Sequence, residues 1–145
     1  MSRDENLQTI RTIYDAFGRG DVETILAQLT DDVDWAADAS DDAAPWYGRR
    51  TGKNEVGRFF ADVAGAIEVL EFTPRDLAAN DDAVFSLVRF RYRGLDSGVE
   101  GSLNLHHYFR FRDGKVEYYR GSEDTALTGR VLSGSRSPAQ TAAIA

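Results

Sequence analysis

The chain has 145 residues, 42% of them hydrophobic, 11% aromatic and 28% charged, which is one domain's worth of sequence and enough to bury a sizeable core. Its formal charge of −7 and its lack of a basic tract exclude an ordinary nucleic-acid binder, because phosphate neutralisation supplies most non-specific affinity. No apolar run approaches the roughly 18–20 residues that cross a bilayer, and with no Cys there is no disulfide framework, thiolate nucleophile or Cys-ligated metal.

The N-terminus, Met-Ser-Arg-Asp-Glu-Asn, lacks the basic-then-apolar order of a secretory signal, so a cytoplasmic, metal-free protein is expected. Leu7, Ile10, Ile13, Tyr14 and Phe17 recur at helical spacing, which predicts a first helix with Ser2 and Glu5 as a capping box. Gly18 and Gly20 stop it. Asp21 caps a second short helix carrying Val22, Ile25, Leu26 and Leu29. Val33 and Trp35 fit a short strand, and the rest of 31–48 reads as an acidic loop ending in Pro45-Trp46-Tyr47-Gly48. A third helix follows Gly52, with Val56, Phe59, Phe60, Val63 and Ile67 on one face.

From about residue 69 the period becomes two, predicting strands at 68–78, 83–93, 99–112 and 115–124. Asp113-Gly114 is a strong two-residue hairpin signal. Residues 126–145, rich in Ser, Ala and Gly, read as a tail that is poorly ordered or packs on a partner, behind a domain of residues 1–125. Helices followed by an antiparallel meander make an α+β domain. A curved sheet covered on one side by three short helices leaves a cone-shaped cavity, which points to a small-molecule pocket.

Alternation places Leu103, Leu105, His107, Phe109 and Phe111 on the interior face. Pairing across an unbulged Asp113-Gly114 turn sets His107 against Arg120, Leu105 against Ser122 and Leu103 against Asp124, so all six would face inward. A one-residue bulge would break this register. Buried ionisable groups are costly unless paired or used. The bland readings are an Arg120–Asp124 ion pair at the rim and a core His107 bonded to a backbone carbonyl. The aromatics Tyr14 and Phe60 fit a core, whereas Trp35, Trp46 and Tyr47 lie in or beside a loop, where ligand contacts commonly sit. Arg89, Arg91 and Arg93 form a solvated or dimer-facing stripe.

The runs Tyr14-Asp15-Ala16-Phe17-Gly18-Arg19-Gly20-Asp21, Leu29 to Trp35, Pro45 to Gly48, Gly52 to Val56, and Phe111 to Val116 with His107 and Asp124 resemble the SnoaL-like proteins of the NTF2-like superfamily, which also holds ketosteroid isomerase. The resemblance covers residues 7–126. It implies a cone-shaped barrel, a homodimer joined through the sheet's outer face, and an acid/base pair at Asp124 and His107, as in polyketide cyclases. Ala37 stands where ketosteroid isomerase has its base. No strand carries the Arg-x-Asp of the epoxide hydrolases, and adjacent His106 and His107 cannot both face the pocket as scytalone-dehydratase-like sites need.

The expectation is cofactor-independent proton transfer, cyclase- or isomerase-like, on a small apolar or aromatic carbonyl compound. Asp124 would be the base. His107 or Arg120 would stabilise the enolate. Tyr14, Trp35, Trp46, Tyr47, Phe60, Leu105 and Ser122 would surround the substrate. The alternatives are a non-catalytic ligand-binding or dimeric module, and an anion site at Arg120 and His107.

Overall fold

Capping and apolar spacing start the fold as the sequence predicts. In the first helix, α1 (Arg3–Arg19), the Ser2 hydroxyl accepts the Glu5 N–H at 3.1 Å, and Gly20 ends the helix at φ 70°, a left-handed conformation that glycine adopts without strain. Asp21 accepts the Thr24 N–H at 3.1 Å and starts α2 (Val22–Ala27). Gly52 precedes α3 (Lys53–Ala66), which buries Val56, Phe59 and Phe60. The structure, a computed structural model, describes residues 2–40 and 42–134.

Six strands form one open sheet in the order β2-β1-β6-β5-β4-β3. They are β1 (Leu29–Ala37), β2 (Gly48–Thr51), β3 (Ile67–Ala79), β4 (Ala83–Gly94), β5 (Glu100–Arg112) and β6 (Lys115–Ser122). The last four lie within one or two residues of their predicted ends. All pairs are antiparallel except β1 with β6, which run parallel. Bulges in β3 and β6 bend the strands. The resulting curved sheet wraps the helices' apolar stripes in an α+β cone, as expected.

Three expectations need correction. The first part of the acidic stretch is strand: Asp31, Asp32 and Asp34 lie on β1, whose Val33, Trp35 and Ala37 are buried. The short, polar β2 takes Gly48 from the expected loop and adds Arg49 to Thr51, which belong to no predicted element because Gly-Arg-Arg-Thr has no apolar period to read. Residues 126–133 of the expected tail belong to α4 (Thr125–Ser133); residues 135–145 lie outside the described residues. α4 carries Thr and Gly, poor helix formers, and is held by packing instead. Val131 is fully buried over Gly101, where an added Cβ would come within 2.7 Å of its Cγ2.

The β5–β6 hairpin decides the site. Asp113 and Gly114 have φ of 51° and 80°, the positive pair of a type I′ turn. The predicted pairs Arg112–Lys115 and Phe111–Val116 form, but the next pair is Arg110–Tyr118, so Glu117 is bulged out. Beyond it Phe109 faces Tyr119, Tyr108 faces Arg120, and His107 faces Gly121. A one-residue slip exchanges the faces of a strand. Tyr119, Gly121 and Glu123 therefore turn to the concave side, and Tyr118, Arg120 and Ser122 to the convex side.

Candidate active site

The concave face of the sheet, closed by α1 and α3, holds a cavity of about 80 Å³. Its walls are mostly aromatic, and Trp35 stacks on Tyr119 with ring centroids 4.0 Å apart. A few polar groups converge in this apolar setting, the usual composition of a small-molecule site.

The first polar group is His107 on β5. Its Nδ1 lies 2.7 Å from the Tyr14 hydroxyl on α1, which also makes a short hydrogen bond to the Ser86 hydroxyl on β4. Burial pushes the His107 pKa down to about 3, with His106 beside it adding to the fall. The imidazole is neutral at physiological pH. Nδ1 is engaged by Tyr14, and Nε2 has no hydrogen-bond partner among the described residues. Burial also raises the Tyr14 phenol well above its ordinary range, partly offset by Ser86, so it works as a neutral donor and acceptor.

The second group is Glu123, just past β6. Its Oε2 accepts from Tyr47 at 3.2 Å and, through a shorter bond, from Thr128 on α4. Burial raises its pKa above the usual carboxylate range; Thr128, Tyr47 and the Trp46 indole pull it back in part. No Lys or Arg forms an ion pair with Glu123 among the described residues. A desolvated carboxyl without a cation is the environment that strengthens a carboxylate base. Glu123 and His107 both line the cavity.

The third is Tyr119. Its hydroxyl lies over Gly121, where a Cβ would come within 2.1 Å of it, and makes no hydrogen bond to a described residue. Gly121 is thus required by the ring beside it. Burial raises the Tyr119 pKa, and the nearness of Tyr14 and Glu123 adds to the rise.

Of the residues expected in the site, Tyr14, Trp35, Trp46, Phe60, Leu105 and His107 line the cavity. Tyr47 meets it through Glu123. The bulge removes the other three. Arg120 lies on the outer face, bonded to an Asp34 carboxylate oxygen at 3.0 Å and stacked over Tyr118 at 4.2 Å; it pairs with Asp34 and not with Asp124. Ser122 is exposed opposite His106. Asp124 is exposed and caps α4, accepting the Leu127 N–H at 3.1 Å. Sequence reasoning missed Glu123, Tyr119 and Ser86. The first two belong to the complementary alternation set, and a glycine in mid-strand opposite a histidine was the available sign of a bulge or close approach. Ala37 lines the cavity, so the ketosteroid-isomerase position offers no base. Among the described residues no cluster of three or more His, Asp or Glu could hold a metal ion, and no helix is long and apolar enough to cross a membrane.

A family model described as a SnoaL-like domain matches residues 10–119. The chain belongs to the SnoaL-like family. Solved structures agree on the NTF2-like fold. An NTF2-like protein of unknown function from Burkholderia pseudomallei is 28% identical with a TM-score of 0.82, over 91% of this chain and 98% of that one. A putative isomerase from Rhodopseudomonas palustris is 21% identical with a TM-score of 0.75, over 92% and 99%. TerC, co-crystallised with polyporic acid, is 23% identical with a TM-score of 0.78, over 89% and 98%. The last two likenesses carry the fold alone. No curated protein matches the chain. Within this SnoaL-like protein the acid that reaches the cavity is Glu123, one residue before the position the family resemblance indicates.

Proposed function

We propose that this SnoaL-like protein is a cofactor-independent acid–base enzyme acting on a small, mostly apolar carbonyl compound, with Glu123 as the base. The observation that carries the reading is the Glu123 carboxyl: it lines an aromatic cavity, is desolvated, and has no ion-pair partner among the described residues. Its Oε2 is held by Tyr47 and Thr128, which orients the carboxyl against the cavity that would hold the substrate proton. Glu123 takes a proton α to the carbonyl and the charge moves to the carbonyl oxygen. Neutral His107, fixed by Tyr14, and the Tyr119 hydroxyl are the donors available to that oxygen, where preorganised hydrogen bonds contribute most. Returning the proton to another carbon completes an isomerisation; attack by the enolate on a second carbonyl would complete a cyclisation. The description of one structural relative as a putative isomerase and the polyporic acid bound to another accord with small-molecule chemistry in this fold.

The test is exchange of α-hydrogens into D2O across a panel of aryl ketones, followed by NMR. Glu123→Gln should lower exchange of the best substrate by about 10²–10⁴-fold, the usual value of a general base. A fall of less than about threefold in a folded variant overturns the assignment. The second reading, a non-catalytic ligand-binding module, is favoured by one observation: Glu123 ties α4 and the Trp46–Tyr47 loop together. On that reading Glu123→Gln lowers the melting temperature and no ketone exchanges in either protein. Assembly is part of the proposal. The convex face carries Phe85, 51% exposed, in ring contact with Tyr108, which in turn touches Tyr118, and a second copy of the chain would cover this patch.

A further inference from the structure

Three apolar features outside the catalytic groups belong together. A groove of about 260 Å³ runs between α1, α2, α3 and the start of β3. No charged residue lines it, and Val69, one of the few exposed large apolar side chains, stands at its edge. Phe17, Phe60, Val63 and Ile67 line both this groove and the cavity. These four side chains are therefore the shared wall, and its aromatic part is the Phe17–Phe60 contact, with ring centroids 6.0 Å apart. Phe17 is only half-buried and lies near the end of α1, so of the two rings it is the less confined. Neither volume alone reaches the roughly 300–1,000 Å³ of sites for drug-sized ligands, whereas the two joined do.

We infer that the groove receives the apolar tail of an elongated ligand whose carbonyl end sits in the cavity, with the Phe17–Phe60 contact parting to let the tail through. The substrate class is then an amphiphile: one polar carbonyl head toward Glu123 and His107, and an uncharged alkyl or aryl extension across Val22, Ala64 and Val69. A charged tail is disfavoured because the lining offers it no partner. This rests on the cavity being the small-molecule site, but not on Glu123 being a base.

The experiment measures binding, by quenching of the Trp35 and Trp46 fluorescence, for phenyl alkyl ketones with tails of one, four and eight carbons. Both Trp residues line the cavity, so they report the head. In the parent protein each added methylene that reaches the groove should tighten binding about three- to fourfold. Ala64 is exposed on α3 and lines the groove but not the cavity, so Ala64→Phe fills the groove from outside the shared wall; it should abolish the gain for the long tails and leave the methyl ketone unchanged. The inference is overturned if the parent binds all three ketones alike, or if Ala64→Phe weakens short and long ketones equally. The parent series decides it even where the variant folds poorly. Binding of the methyl ketone without a tail effect defeats this inference alone. No binding of any ketone defeats the small-molecule reading with it. Binding with the tail effect but without α-hydrogen exchange defeats only the assignment of Glu123.

Discussion

His107 stays neutral because its surroundings give the imidazolium nothing. Its ring packs against Tyr14, Phe109 and Tyr119, and the atom bonded to Nδ1 is a phenol that itself resists ionisation. The consequence for stability has a definite sign. Unfolded, the ring takes a proton near pH 6.5; folded, only near pH 3. Between those values the unfolded state binds more protons, so stability rises with pH up to about 6.5 and is lost as pH falls. Glu123 acts in the other sense, since its raised pKa makes the folded state the better proton binder just above the ordinary carboxylate range. The His107 contribution is therefore isolated by comparison with His107→Gln. Chemical denaturation at pH 7 and pH 5 should show the parent losing on the order of 1–2 kcal/mol more than the variant over that interval. Parallel losses would mean that the imidazole is solvated.

At the scale of elements, one bulged residue chooses the acid. With Glu117 in register, Asp124 would have pointed toward the cavity; with it bulged, Glu123 does and Asp124 becomes the cap of α4. Removal of a capping carboxylate typically costs about 1 kcal/mol. Asp124→Ala should accordingly lower the unfolding free energy by about that amount and leave α-hydrogen exchange within about twofold. A loss of exchange comparable with that of Glu123→Gln would restore Asp124 as the base. The α4 helix also shows how a weak local signal becomes a firm element. Thr128 is buried and bonds both Tyr92 at 2.7 Å and Glu123, so the segment is ordered by its contacts with β4 and the site and not by propensity.

At the scale of the molecule, the charge pattern changes meaning. The first three acids of the acidic stretch are not free: Asp31 pairs with Lys53, Asp32 with Arg112, and Asp34 with both Arg49 and Arg120. Each exposed pair contributes little, typically about 0.2–1 kcal/mol, but together they tie β1 to its neighbours. The Arg120–Asp34 pair also leaves the convex face with a stripe of aromatic and arginine side chains. A homodimer through this face should elute at twice the monomer mass, and Phe85→Asp should shift it to monomer without changing ketone binding. Monomeric parent protein at micromolar concentration would remove the second copy from the proposal.

Much of this was legible in the chain. The caps at Ser2 and Asp21, the Asp113-Gly114 turn, the four long strands and the inward face of β5 follow from local chemistry and period, because each is set by residues a few positions apart. His107 and the aromatic lining were readable for the same reason. What local pattern does not carry is the count of residues between two paired strands once a bulge intervenes, since a bulge is stabilised by sheet curvature and packing on both faces. The order of α4 likewise depends on partners far away in sequence. Sequence alone thus determined that His107 and several aromatic side chains face the interior of the cone, and it named Asp124 as the acid. Only the tertiary structure decided which of two adjacent carboxylates that is, because strand side chains alternate faces and a single extra residue reverses the choice.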